Sequence, residues 1–193
     1  MFVDESWFVL WPYPAPGWAP RGRPPRVPKR KGWKKKERPP SCCLYARMDA
    51  LDRAVAGAWH PTWNEHETWA FLHEVFAAYA ARGARSLVVF WDNAPWHLAA
   101  GLRARVAAHN AAAKRDGGLR VLLFFLPTKS PWLMPLEPVF GQTKRAVGPR
   151  QRASLAELQA AVDARLRRRN ACARAHHERY LLRRLRRTSV SRH

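Results

Sequence analysis

Two uninterrupted apolar runs in the chain predict buried β-strands. The runs are Leu87–Trp91 and Val121–Leu126, and both are rich in β-branched or aromatic residues. Apolar runs of this length are typical of strands that are covered on both faces of a sheet. The first run ends at Asp92 and the second at Pro127. Because ligands collect at the carboxyl edge of such sheets, we expect functional side chains at these two ends.

Shorter patterns before these runs predict three more strands. The first is expected in two pieces, Phe2–Asp4 and Trp7–Trp11, with a bulge between them. A hairpin follows over Cys42–Arg47 and Ala54–Trp59, because alternating apolar stretches flank the polar turn Asp49–Arg53. The chain therefore opens with three consecutive strands.

Apolar periodicity and capping signals predict four helices. Thr62–Glu65 has capping-box spacing and introduces a helix that Gly83 ends. A second helix is expected over about His97–Lys114, and a third begins near Pro135–Glu137. Ser154–Glu157 repeats the capping-box spacing ahead of a fourth helix. Helices and strands thus alternate after the first three strands.

The charge of the chain indicates a polyanionic partner. The 193 residues include 35 Lys and Arg against 14 Asp and Glu, a formal net charge of +21. A surface of this kind binds nucleic acid because it releases counterions from phosphates. Attraction to a membrane surface is the alternative. No apolar stretch approaches the ~20 residues of a membrane-spanning helix, and no signal peptide is recognisable, so we expect a cytoplasmic protein without a membrane partner.

Basic residues cluster in two regions. The loop of residues 12–40 is rich in Pro and Gly, and cations surround Trp33 within it, a composition typical of DNA contacts or of a solvated linker. We expect these side chains to contact DNA, together with two further lysines: Lys29, Arg30, Lys34, Lys35, Lys36, Lys129 and Lys144. The second region is the Arg-rich stretch 165–187, which is expected to clamp DNA or to fray as a basic terminus.

The three cysteines indicate neither a disulfide framework nor a zinc site. Cys42 and Cys43 are adjacent and Cys172 is distant, so the number is odd and the spacing fits neither arrangement. We expect all three to be reduced packing residues.

Two carboxylates are expected near the carboxyl edge of the predicted sheet, where ligands usually bind. Asp92 closes the first buried strand, and Glu137 lies in the first turn of the third helix. An Asx-turn explains Asp92 without chemistry, and the helix macrodipole does the same for Glu137. In the hairpin turn, Asp49 and Asp52 are further acids, of a kind ordinary in turns.

Four segments together resemble a known family. They are Asp4-Glu5-Ser6, Gly17–Gly22, Asp92-Asn93-Ala94-Pro95-Trp96-His97 and Leu126–Glu137. The last two resemble the D-N-A-x-x-H and L-P-x-x-S-P-x-L-N-P-I-E motifs of DDE transposases, from the bacterial insertion-sequence branch of the mariner-like superfamily. The resemblance runs from Phe2 to about residue 147.

This resemblance implies a fold and a site. The family has a ribonuclease-H-like α/β fold, a mixed five-stranded sheet with flanking helices, here followed by a basic helical tail. Asp4, Asp92 and Glu137 correspond to its catalytic and metal-binding residues, and Asn93 and His97 to site support. Two Mg²⁺ or Mn²⁺ ions are implied, with Asp4 and Asp92 on the shared ion and Glu137 on the second. Hard cations prefer such oxygen ligands.

The same resemblance implies an activity and partners. The family cleaves double-stranded DNA at transposon ends and transfers the freed strand to target DNA during insertion-sequence transposition. Its members often act as dimers, so a homodimer is an expectation. They carry helix-turn-helix domains before the first acid, which is here residue 4, so an upstream polypeptide is expected to supply recognition. We expect a catalytic domain over residues 1–150, a C-terminal region over 151–193, and a bacterial, nucleoid-associated protein.

One departure from the motif leaves other functions open. Met134 stands where the family usually has Asn, so an apolar side chain replaces one that hydrogen-bonds. A catalytically inactive, basic DNA-binding remnant, or half of a split transposase, is therefore the alternative. A third hypothesis is a host nuclease that recognises DNA shape.

Overall fold

A computed structural model describes residues 1–12, 20–23 and 38–190 of the protein, with side chains described up to residue 175. Five predicted DNA contacts lie outside the described residues: Lys29, Arg30, Lys34, Lys35 and Lys36.

A mixed five-stranded sheet forms the centre of the fold and confirms the predicted class. Its strands are β1 Phe2–Val9, β2 Ser41–Met48, β3 Val55–His60, β4 Ser86–Trp91 and β5 Arg120–Phe125. They lie in the order β3-β2-β1-β4-β5. The first three strands pair antiparallel, and β4 runs parallel to both β1 and β5.

Helices cover the sheet and continue into the C-terminal region. They are α1 Glu65–Ala80, α2 Ala100–Asp116, α3 Leu136–Val147 and α4 Leu155–Val190, with a short 3₁₀ turn over Pro131–Leu133. Within the described ranges, no helix is long and apolar enough to cross a membrane.

Each face of the sheet has its own apolar core, and β1 contributes to both. Val3 packs with α1 and α2, whereas Phe8 packs with α3 and α4. Because successive strand residues point to opposite faces, Asp4 lies on the face of Phe8 and Glu5 on the face of Val3. Neighbouring acids in the sequence therefore project into different layers.

Three local details differ from the sequence predictions. β1 is one continuous strand rather than two pieces. The cap of α1 is Asn64 and not Thr62, because the Asn64 Oδ1 accepts the Glu67 N–H at 2.8 Å. Helix α2 begins at Ala100, so His97 lies in the loop before it. The two helix differences lie at helix starts, where competing caps decide the boundary, whereas β1 is continuous because its pairing with β2 is unbroken from Phe2 to Val9.

Helix α4 confirms the predicted helical tail. Its first half packs on the sheet through Leu158, Val162 and Leu166. Further along, the Asn170 amide exchanges two hydrogen bonds with the backbone of Val55 at 3.0 and 2.7 Å, which holds the helix against β3. Cys42 and Cys43 are buried as predicted, but Cys172 on this helix is exposed, so its assignment as a packing residue is wrong.

Candidate active site

A cavity of about 350 Å³ opens at the carboxyl ends of β4 and β5. The residues that line it come from β1, the two loops after these strands and the start of α3. They include all three predicted acids and one predicted lysine: Asp4, Asp92, Asn93, Lys129, Met134 and Glu137. The parallel pairing explains this convergence, because Phe2 lies opposite Phe90 and two residues further along each strand come Asp4 and Asp92. Asp49 and Asp52 instead accept backbone hydrogen bonds within the β2–β3 turn.

Asp92 is held in place by an Asx-turn and by an imidazole. Its Oδ1 accepts the Ala94 N–H at 3.1 Å and lies 2.8 Å from the His97 Nδ1. The hydrogen bond from His97 lowers the pKa of Asp92. Its side chain remains 55% exposed, so this carboxylate is anionic and accessible. Asp92 therefore both forms the Asx-turn and lines the cavity, so the structural role does not exclude a functional one.

His97 connects Asp92 to a second carboxylate. The imidazole is fully buried and stacks on Trp91 with ring centroids 4.5 Å apart. Its Nε2 lies 2.9 Å from the Glu5 Oε1. Because each ring nitrogen faces a carboxylate oxygen, both nitrogens act as N–H donors in a charged imidazolium. Burial by itself lowers the pKa of His97, but Asp92 and Glu5 outweigh it and raise that pKa to about 9.

Glu5 is the site residue that sequence reasoning missed. Its side chain is only 3% exposed, and besides His97 it accepts the Trp96 indole N–H at 3.4 Å. The sequence signal was its place beside Asp4 in the opening motif. Strand alternation puts Glu5 on the opposite face from Asp4, but its pairing with a histidine 92 positions away depends on the β1–β4 contact.

Asp4 has the opposite electrostatic surroundings to Asp92. It is 8% exposed, and its Oδ1 accepts the Glu5 N–H at 2.9 Å. Burial first, and then the charges of Glu5, Glu137 and Asp92, raise the pKa of Asp4 to about 8. This carboxyl group therefore lies among like charges in a poorly hydrated position.

Glu137 enters the cavity from the first turn of α3. The segment before it is fixed because Met134 is 3% exposed and Leu136 is fully buried. The Glu137 N–H donates to the Met134 carbonyl at 3.2 Å. Glu137 itself is exposed, so a rigid and buried base presents this carboxylate at the surface.

Polar side chains complete the surroundings of the acids. The Asn93 Nδ2 donates to the Leu126 carbonyl at 2.6 Å and joins the two loops that form the cavity. On α3, Lys144 lies with its Nζ 5.7 Å from the centroid of the Phe8 ring. Burial lowers the pKa of Lys144, although the charges of Glu137 and Asp4 oppose that effect. Lys129 lines the cavity with a backbone φ of 58°.

The oxygen donors fit a divalent cation held by pairs of acids. Burial is the largest cause of the raised pKa of Asp4, and the charges of neighbouring carboxylates, which a cation would offset, add to it. In the parts of the chain that the structure describes, no group of three or more His, Cys, Asp or Glu side chains is close enough to hold one ion together. Mg²⁺ is usually bound by one or two carboxylates plus substrate phosphates, and the cavity offers carboxylates of that number and type.

Several solved structures share this fold. The Mos1 transposase paired-end complex with the left transposon end superimposes with a TM-score of 0.58 at 19% identity, over 92% of this chain and 52% of that one. The Mos1 complex with Mn gives 0.58 at 18% identity, over 92% and 53%. The complex with Mg gives 0.60 at 18% identity, over 86% and 47%. The chain thus spans about half the length of these proteins.

Sequence comparisons give the family. Comparison with curated proteins finds no match. The family model described as "DDE superfamily endonuclease" matches residues 1–159, a range that contains β1 to α3 and every described residue of the cavity. The chain therefore belongs to the DDE superfamily of endonucleases.

Proposed function

We propose that this chain is the catalytic domain of a transposase, which cuts DNA strands and joins the freed end to target DNA. One observation carries the proposal: Asp4, Asp92 and Glu137, from three separate elements, line a single cavity. Membership of an endonuclease superfamily and the fold shared with Mos1 transposase support it.

In this proposal the three acids hold two divalent cations, Mg²⁺ or Mn²⁺. Asp4 and Asp92 are ligands of the shared ion, and Glu137 is a ligand of the second. Such ions stabilise negative charge on the attacking and leaving oxygens of a phosphodiester. The Mos1 complexes with Mg and Mn support the choice of metal.

His97 and Asn93 support the site in different ways. The Asp92 Oδ1 accepts both the Ala94 and the His97 hydrogen bonds, which leaves Oδ2 as the free ligand atom. Glu5 fixes the imidazole from its other side, so Asp92 is oriented before any ion binds. Asn93 keeps the loop after β4 joined to the loop after β5.

The substrate in this proposal is double-stranded DNA from transposon ends and target sites. Lys129 lies at the cavity and Lys144 lies near the acids, where each is suited to a phosphate. The basic composition of the segment that contains Lys29, Arg30 and residues 34–36 supports further contacts along the DNA backbone.

The wider setting is also part of the proposal. A homodimer and a separate helix-turn-helix polypeptide would supply end recognition, and the protein would act on the bacterial nucleoid in the cytoplasm. Residues 1–150 would form the catalytic domain, and residues 151–193 a basic extension. The +21 charge supports such an extension as a second contact with DNA.

Met134 favours a second candidate function, a catalytically inactive DNA-binding remnant or half of a split transposase. This side chain lines the cavity and is 3% exposed. A thioether offers a hard cation no suitable ligand, and it lacks the hydrogen-bonding groups of Asn. Binding through Lys and Arg would survive without metal, whereas cleavage would not.

Nicking of supercoiled plasmid in Mg²⁺ or Mn²⁺ tests the proposal. The wild-type chain is compared with Asp92→Asn and Glu137→Gln at matched DNA-binding affinity. We expect nicking that both substitutions and chelation abolish. Equal binding by all three proteins without any nicking would leave the DNA-binding remnant as the better account. Cleavage that persists in both variants would place the chemistry elsewhere.

A further inference from the structure

The 3₁₀ turn beside the cavity carries an unusually exposed indole. Trp132 is 76% exposed and its neighbour Leu133 is 42% exposed. The residues on either side of this pair, Pro131 and Met134, line the cavity. Contiguous exposed apolar side chains mark binding surfaces more than single ones do, and here two neighbours are exposed next to the cavity.

The backbone under Trp132 is fixed from both ends. The Leu133 N–H donates to the Ser130 carbonyl at 3.0 Å, and the Met134 N–H donates to the Pro131 carbonyl at 3.0 Å. Pro131 fixes φ at the start of the turn, and Met134 anchors its end in the core. The indole therefore stands on a rigid support, which reduces the entropy that a ligand must overcome on binding.

Within the described part of the chain, Trp132 also differs from other tryptophans in having no ring partner. Trp63 stacks on Trp96 with ring centroids 5.2 Å apart, and Trp91 stacks on His97. For Trp132 the structure gives no ring or cation contact with any residue in its described ranges. Its flat face is available to a planar partner beside the cationic Lys129 and the three acids.

We propose that Trp132 is a stacking platform for an unpaired nucleobase next to the phosphate that is cut. This inference rests on the proposed function. A nucleobase satisfies both features of the surface, because it has a planar π-face to stack on the indole and is linked to phosphates that Lys129 attracts. Taking a base out of a duplex costs stacking and pairing energy, so Trp132 favours DNA that is already frayed or mismatched.

The expected preference can be measured with 2-aminopurine fluorescence. One hairpin duplex carries a single unpaired 2-aminopurine, and its partner carries the same base fully paired. Asp92→Asn serves as the background, so that the DNA stays uncut and stacking is measured apart from catalysis. Trp132→Ala removes the indole, Trp132→Phe retains a smaller ring, and Leu51→Ala is the control because Leu51 is 84% exposed in the distant β2–β3 turn.

We expect fluorescence quenching on the unpaired probe and about tenfold weaker binding of that probe by Trp132→Ala, in line with the contribution of one stacked base. Binding of the paired duplex should not change, Trp132→Phe should retain most of the preference, and Leu51→Ala should behave like the background protein. The proposal is overturned if Trp132→Ala binds the unpaired probe unchanged or loses both DNAs equally. It is also overturned if the substitution changes only the oligomeric state in light scattering, which would assign the indole to a protein interface.

The plasmid assay separates this inference from the proposed function. Quenching by the Asp92→Asn protein, with no nicking by wild type, would retain the platform and reject the nuclease. Nicking by wild type, with no discrimination lost in Trp132→Ala, would retain the nuclease and reject the platform.

Discussion

Asp92 and Asp4 line the same cavity, but their surroundings shift their pKa values in opposite directions. On one side, His97 donates to Asp92 and lowers its pKa. On the other side, burial and the neighbouring acids raise the pKa of Asp4 to about 8. One acid is thus stabilised as an anion by the protein itself, whereas the other lacks an equivalent partner. We therefore expect a bound cation to favour the anion of Asp4 more than that of Asp92.

Strand alternation produces this difference from adjacent residues. Asp4 and Glu5 project into opposite layers, and Glu5 joins Asp92 in raising the pKa of His97 against the effect of burial. Asp4 faces the layer of α3, which brings a further acid, Glu137, and the half-buried Lys144. The same two-residue motif therefore supplies a candidate metal ligand on one face and supports another ligand from the other face.

Removal of the imidazole is expected to give the largest effect on stability. His97→Ala leaves the buried Glu5 without its charged partner, although the Trp96 N–H remains, and should cost about 3–5 kcal/mol. Because the folded pKa of His97 is raised from 6.5 to about 9, its contribution is fully present below pH 6.5 and is lost as pH rises through 9. Denaturant unfolding at pH 6 and pH 10 measures this difference.

His66→Ala is the matched control for that experiment, because His66 is exposed on α1. Equal destabilisation by the two substitutions at pH 6 would show that the Glu5–His97 pair does not stabilise the fold.

Substitution of the two aspartates should change stability in opposite directions when metal is absent. The raised pKa of Asp4 means that metal-free stability falls as pH rises from about 4 to about 8. Asp4→Asn removes that penalty and should stabilise the protein by roughly 2–4 kcal/mol at pH 9. Asp92→Asn should destabilise it, because the His97 hydrogen bond favours the Asp92 anion. Thermal unfolding in chelator, repeated in Mg²⁺, measures both effects.

Mg²⁺ should stabilise the wild-type chain at pH 9 by more than it stabilises Asp4→Asn, because the variant keeps only the ion that Glu137 binds. Destabilisation by both aspartate substitutions in chelator would show that the two sides of the cavity are alike.

The sequence predicted the framework of this site but not its electrostatics. The apolar runs ending at Asp92 and Pro127 predicted β4 and β5, since such runs have few alternatives in a packed sheet. Contacts between residues far apart in the sequence could not be predicted from local patterns. The Glu5–His97 pair is an example, because it joins side chains of β1 and the loop after β4. The predicted cap of α1, Thr62, differs from the observed cap, Asn64, because both residue types satisfy the local capping preference.

Substitution of Met134, which lines the cavity beside the acids, should give a smaller effect on the nicking rate. Met134→Asn restores a hydrogen-bonding group and should raise nicking by roughly fivefold, equivalent to one hydrogen bond of about 1 kcal/mol. The polar group should also destabilise the fold by about 1–3 kcal/mol, because the site is buried. Met134→Leu is the control that preserves apolar volume. Equal nicking rates in the two variants would mean that Met134 does not limit the site.

Substitution of Lys129 should give the smallest effect, and that effect should be limited to DNA affinity. Lys129→Gln removes one cation at the cavity and should lower the salt dependence of DNA binding by a slope of about 0.9. Filter binding or anisotropy over a salt series measures this slope. Lys114→Gln, an exposed cation at the end of α2, is the control. A larger change in the control than in Lys129→Gln would move the DNA path away from the cavity.

The most direct test of the central claim is to locate Mn²⁺ by anomalous diffraction in crystals of the protein, with Asp4→Asn and Glu137→Gln prepared alongside. The account predicts one Mn²⁺ bound by Asp4 and Asp92 and a second bound by Glu137, with the first lost in Asp4→Asn and the second in Glu137→Gln. Mn²⁺ bound away from these acids, or bound unchanged in both variants, would contradict the assignment of Asp4, Asp92 and Glu137 as the metal-binding residues of this nuclease.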